Sequence, residues 1–183
     1  MTDTEQTDAN PVMAEHARTA PAWQLKPLPA FLFRAELWWL YVLVAAALSL
    51  AGAALLSLLA QALFPQAATP DLGGATGPML VALIAVVSPI LESLIMSGPL
   101  LLANRLAGPR VAVIASALLW GVLHSLAAPI WGLTIWWPFL IFSTAFLVWR
   151  TRGYWVAVGT ASVIHALNNL GPALVLAAAA GVR

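Results

Sequence analysis

From about residue 34 the chain alternates long uncharged apolar runs with short breaks carrying arginine, proline or glycine. Five runs, about 37–64, 78–104, 111–128, 130–149 and 153–180, each reach the roughly 17–25 residues that a helix needs to cross a bilayer. The breaks fall at Pro65 to Gly77, Arg105 to Arg110, Pro129, and Arg150 to Gly153. The fold expected is all-α: a polytopic transmembrane helix bundle of about five spans over residues 34–183. No internal repeat is visible, which disfavours an inverted-repeat transporter.

Arg34 precedes the first run, Arg105 and Arg110 join the second to the third, and Arg150 and Arg152 join the fourth to the fifth; the other two connections hold no Lys or Arg. The positive-inside bias therefore predicts a cytoplasmic N-terminus, with Trp38, Trp39, Trp149 and Trp155 near the inner boundary and Trp131 near the outer one. Residues 1–33 differ in kind. They mix Asp3, Glu5, Asp8 and Glu15 with Arg18 and Lys26 and carry four prolines, at 11, 21, 27 and 29, so they are expected to form a disordered cytoplasmic tail.

Composition agrees with the runs: 62% of the 183 residues are hydrophobic, 8% are charged, and the mean hydropathy is +0.90. Soluble domains carry about 25% charged residues, so this is an integral membrane protein with lipid as its first partner. The basic residues are spread one or two per junction, and nucleic acid is not expected as a partner. With no cysteine, disulfides, thiolate metal sites and a cysteine nucleophile are excluded.

Within the runs the strongly polar side chains are few: Glu92 in the second, His124 in the third, and His165, Asn168 and Asn169 in the fifth. Glu92 stands out, because an ionised carboxylate in hydrocarbon costs several kcal/mol and marks a functional site by default. Glu92 lies 13 residues from Arg105, His124 lies 14 from Arg110, and His165 lies 13 from Arg152. At 1.5 Å per residue all three sit roughly 20 Å from one boundary, in a single layer. Asn169 follows His165 by one turn on the same face.

Each group also lies beside helix-breaking residues: Pro89 and Gly98-Pro99 around Glu92, Gly121 and Pro129 around His124, and Gly171-Pro172 after Asn169. Such breaks at membrane depth are tolerated where backbone faces protein or a water-filled cavity, so a wet pocket between the second, third and fifth runs is expected. Taken singly, a buried His or Asn is interhelical glue worth about 0.6–2 kcal/mol. Three helices converging on one layer favour function. Ser88, Ser93, Ser97, Ser116, Ser125 and Thr144 are read as packing or backbone-capping residues, and Trp120, one turn before His124, as a wall of the pocket.

Glu92 with Ser93 and Ser97, then Trp120-x-x-x-His124, then His165-x-x-x-Asn169 resembles the motif series of the CPBP intramembrane proteases. This family, also called Abi, includes the type II CAAX prenyl endopeptidases and bacteriocin-processing or immunity proteins. The resemblance covers about residues 84–172 and implies that Glu92, His124, His165 and Asn169 form the catalytic set, with Ser93, Ser97, Trp120 and Asn168 in support. Ser93 and Ser97 stand where the family pattern has Glu and Arg. Those positions are i and i+4, an ion pair on a helix, so replacing both by small hydroxyls avoids stranding one charge in the membrane.

The activity implied is peptide hydrolysis inside the membrane without a covalent intermediate, on membrane-anchored or lipidated, CAAX-like proteins. Glu92 would act as general base on a water that His124 orients, and His165 and Asn169 would donate to the oxyanion. No cofactor is expected. The metal alternative is Zn²⁺ on Glu92, His124 and His165, ranked second because no His-Glu-x-x-His pair is present. A second class is a catalytically silent family member acting as membrane scaffold or bacteriocin-immunity protein, and a third is proton or small-ion transport. The compact, Ala/Leu-rich spans point to a bacterial inner membrane.

Overall fold

A computed structural model describes residues 21–67 and 75–180. Helix α1 (Trp38–Leu63) is followed by α2 (Gly77–Ala82), a π-helical turn (Leu83–Val87), α3 (Ser88–Ala127), α4 (Gly132–Trp149) and α5 (Tyr154–Ala180), with short 3-10 turns at Ala30–Phe33 and Arg150–Arg152. The described residues contain no strand. The all-helical membrane bundle holds.

The expected runs are joined differently. Four continuous helical stretches are long and apolar enough to cross a membrane: Trp38–Leu63, Gly77–Ala127, Gly132–Arg152 and Tyr154–Ala179. The expected break at 105–110 is a kink, not a loop: within α3 only Gly108 leaves helical geometry (φ 81°, ψ 169°). A glycine is needed for that positive φ, and Pro109 can begin the second arm because its missing N–H would be unpaired there anyway. At 1.5 Å per residue, the 51 residues of Gly77–Ala127 would run about 75 Å if straight, more than twice a hydrocarbon core of about 30 Å. The kink divides them into two arms.

The bundle is arranged around α4. Over its most apolar window α4 is 72% buried, against 22–33% for the other three stretches, whose outer faces are left for lipid. Phe139, Ile141, Phe142 and Phe146 of α4 are among the largest fully buried side chains. Small residues let the neighbours approach: Ala45 of α1, Ala112 and Ala117 of α3, and Ala157 and Ala161 of α5 are almost completely buried. Backbone meets backbone where α3 packs on α4: a Cβ added at Gly132 would lie 2.0 Å from the carbonyl oxygen of Gly121.

Residues 1–20 of the expected tail lie outside the described residues. Residues 21–33 are ordered against the bundle, contrary to expectation. Leu25, Leu28, Leu32 and Phe33 are buried, Trp23 meets Phe33 edge-on, and Tyr41 donates its hydroxyl to the Leu32 carbonyl at 3.0 Å. Two arginines clasp this segment: Arg110 donates to the carbonyls of Ala22 (2.9 Å) and Gln24 (3.2 Å), and Arg152 to that of Ala35 (3.1 Å). Prolines prevent a long helix here but not burial of apolar side chains.

The aromatic belt is also revised. Trp39 and Trp155 are exposed, whereas Trp149 is buried edge-on to Tyr41 and Trp131 turns inward against His124.

Candidate active site

Between α1, the π turn and the start of α3, the end of α3, α4 and α5 lies a cavity of about 770 Å³. Glu92, His124, His165, Asn168 and Asn169 all line it, so the polar layer inferred from residue counts is a single site. Its walls come from five segments rather than the expected three. One face of α1 (Leu50, Ala53, Ala54, Ser57, Gln61) and Trp131, Thr134, Pro138, Phe139 and Phe142 near and on α4 complete it.

Glu92 occupies the second turn of α3. Ser88, one turn earlier, donates its hydroxyl to Oε1, while Oε2 is buried without a hydrogen-bond partner. Opposite it, His124 Nε2 stands 4.0 Å from Oε2. The His124 ring is held from behind: Nδ1 lies 2.8 Å from the Trp120 carbonyl. A carbonyl can only accept, so Nδ1 carries a proton and Nε2 of the neutral ring is left as an acceptor facing the carboxylate. Trp131 packs edge-on to the ring at 4.7 Å.

Trp120 does not line the cavity. It stacks on Phe139, with centroids 4.4 Å apart and planes 9° apart, and Phe139 forms the wall. Its contribution to the site is its carbonyl and the ring behind Phe139.

His165 is 4% exposed, stacked on Phe142 at 4.4 Å and edge-on to Phe139 at 5.4 Å. Its Nδ1 is buried with no partner. Asn169, one turn on, donates from Nδ2 to the Ile84 carbonyl (3.1 Å) and accepts at Oδ1 from Asn168 Nδ2 (3.0 Å). Asn168 Oδ1 in turn accepts from Ser49 of α1 at 2.8 Å.

The interruptions around the site are fewer than the proline and glycine positions implied. Helix α3 runs on through Gly98-Pro99 and α5 through Gly171-Pro172; only the segment at Pro129 and the π turn before Pro89 depart from α geometry. The π turn has a direct consequence. Ser88 N–H bonds to the Leu83 carbonyl, and Pro89 has no N–H, so the Ile84 carbonyl loses both its α-type and its π-type donor. Asn169 supplies the missing bond.

Ser93 and Ser97 are buried but do not line the cavity. Ser97 bonds to the Leu94 carbonyl (2.7 Å) and lies 2.9 Å from the Tyr154 hydroxyl, whereas Ser93 Oγ has no partner. Ser88, by contrast, lines the cavity, and Ser49 bonds to Asn168, which lines it. Ser88 is therefore not the packing residue expected; the carboxylate at i+4 is the sequence signal for its role.

Among the described residues, no three His, Cys, Asp or Glu side chains converge closely enough to hold a metal ion. Glu92, His124 and His165 do not form such a group.

Comparison with protein-family models matches residues 74–171, more than half of the chain, to type II CAAX prenyl endopeptidase Rce1-like proteins. The chain belongs to the Rce1-like family. That membership supports an intramembrane endopeptidase function and agrees with the CPBP resemblance of the motif series. Searches of curated proteins and of solved structures each found no match. The matched region of this Rce1-like protein spans the π turn, all of α3 and α4, and α5 as far as Gly171, so it contains every polar cavity residue except those of α1.

Proposed function

We propose that this protein hydrolyses peptide bonds of membrane-anchored or lipidated, CAAX-like substrates, using a water activated by Glu92. The observation that carries the reading is the pair of acceptors facing each other across 4.0 Å, Glu92 Oε2 and His124 Nε2, with no donor between them. A water placed there donates one hydrogen to each, leaving a lone pair for a carbonyl carbon in the cavity.

Glu92 takes the proton as the water attacks, and Ser88 holds the other carboxylate oxygen so that Oε2 keeps its aim. His124 orients the water and is itself fixed by the Trp120 carbonyl. The negative charge that develops on the substrate oxygen meets the far wall, where His165 and the second N–H of Asn169 donate. For His165, an unpartnered lone pair at buried Nδ1 costs less than an unpartnered N–H, which favours the proton on Nε2. Collapse of the tetrahedral intermediate expels the amine, protonated by the Glu92 carboxyl. No metal enters these steps.

The apolar walls contributed by α1 and α4 suit an extended peptide or lipid-modified segment, and the family's CAAX prenyl substrates supply the class. Ser93 and Ser97, the two departures from the family pattern, are what would favour the scaffold alternative. Both lie outside the cavity, so their replacement leaves the polar set complete.

The test compares terminal peptides of membrane proteins from cells carrying the wild-type chain or Glu92→Gln. Substrates shortened only when Glu92 is intact support hydrolysis by this site; identical termini in both would overturn it.

A further inference from the structure

The hydrogen bonds on α5 form a directed chain whose direction is dictated from one end. The Ile84 carbonyl, deprived of helical donors by Pro89, can only accept, so Asn169 must turn its Nδ2 toward it. Asn169 Oδ1 is thereby turned toward Asn168, which must offer Nδ2, and Asn168 Oδ1 must then accept from the Ser49 hydroxyl. Reversing the Asn169 amide would set two acceptors face to face at Ile84, and reversing the Asn168 amide would set two face to face at Asn169. Ser49 is 0% and Asn168 7% exposed, so the Ser49–Asn168 bond is buried.

We infer that Ser49 and Asn168 are positioning residues that lock the side-chain amide of Asn169 with its N–H edge toward Ile84 and the cavity. One hydrogen of Nδ2 satisfies the orphaned carbonyl; the second is held ready for the substrate oxygen without a reorientation step. This inference rests on the oxyanion role given to Asn169 above. It adds a residue from α1, outside the family-matched region, to the machinery of the site.

The test uses the full-length protein in liposomes with a farnesylated, internally quenched peptide, and reads kcat, KM and the thermal unfolding midpoint. Asn168→Asp, assayed at a pH at which the new carboxyl is ionised, keeps the shape and the acceptor for Ser49 but has no donor for Asn169; Ser49→Ala removes the donor at the chain's start. Each lowers kcat about tenfold, part of the loss expected for a misaimed oxyanion donor, with KM within twofold of wild type. Ser49→Ala adds no further loss in the Asn168→Asp background, because the two act through one chain. Wild-type kcat in either single variant, a loss that follows the unfolding midpoint, or independent losses that multiply would each overturn the inference. Glu92→Gln run in parallel separates the two levels. If it is inactive while Asn168→Asp and Ser49→Ala match wild type, only the lock fails; if it stays active, water activation and the lock both fall.

Discussion

Glu92 Oε2 and His124 Nε2 face each other at 4.0 Å from opposite ends of the longest helix, the first arm of which begins one turn before Glu92 and the second of which ends one turn after His124. The kink at Gly108 is what brings two residues 32 positions apart in sequence into one site. Neither atom has a hydrogen-bond donor of its own, and both are secured from behind, by Ser88 and by the Trp120 carbonyl.

Ser88→Ala tests the first of these supports. Removing a hydroxyl that donates to a carboxylate forfeits a bond of roughly 1.5–3 kcal/mol. Glu92 is then free to rotate, and kcat falls about tenfold or more while the helix, which gains an alanine, stays folded. Steady-state cleavage together with circular dichroism checks both halves of the expectation.

His124→Phe keeps the aromatic packing against Trp131 and Phe139 but removes the ring nitrogens. Cleavage drops about 10²-fold or more, the loss typical of a group that assists proton transfer, with an unfolding midpoint near wild type.

Gly132→Ala probes the α3–α4 contact that holds the His124 end of the cavity. The new Cβ would meet the Gly121 carbonyl at 2.0 Å and the Ser125 hydroxyl at 2.1 Å, so backbone must move. Overpacking of this kind costs about 1–3 kcal/mol, read as a lower thermal midpoint in detergent.

Strong chelators leave the rate of the wild-type protein within twofold of the untreated value, because Glu92, His124 and His165 do not converge as metal ligands. Loss of cleavage on chelation, restored by Zn²⁺, would replace water activation by Glu92 with a metal mechanism.

The polar layer was legible in the sequence because depth is: each of Glu92, His124 and His165 could be counted from an arginine at a helix boundary, and one layer in three helices is one site in a bundle. What frames the layer was not. Ser49 meets Asn168 across 119 residues of sequence, and nothing local distinguishes it from hydroxyls that bond their own helix, as Thr144 and Thr160 do. The junction at Gly108 looked like a loop because it carries two arginines, yet a single positive φ is enough to turn the chain there. Residues 21–33 looked disordered by their prolines, although Trp23, Leu25, Leu28, Leu32 and Phe33 already offered the apolar surface that packs. The prolines at 99 and 172 sit inside unbroken helices, whereas Pro89 acts through the carbonyl it orphans.

The most direct measurement is the cleavage rate of Glu92→Gln in liposomes against wild type, with matched unfolding midpoints. The amide keeps the size of the side chain and an oxygen for Ser88 but cannot take a proton from water. Water activation by Glu92 predicts a fall of about 10²–10⁴-fold in kcat with the fold retained. A folded Glu92→Gln protein that cleaves at the wild-type rate would contradict it.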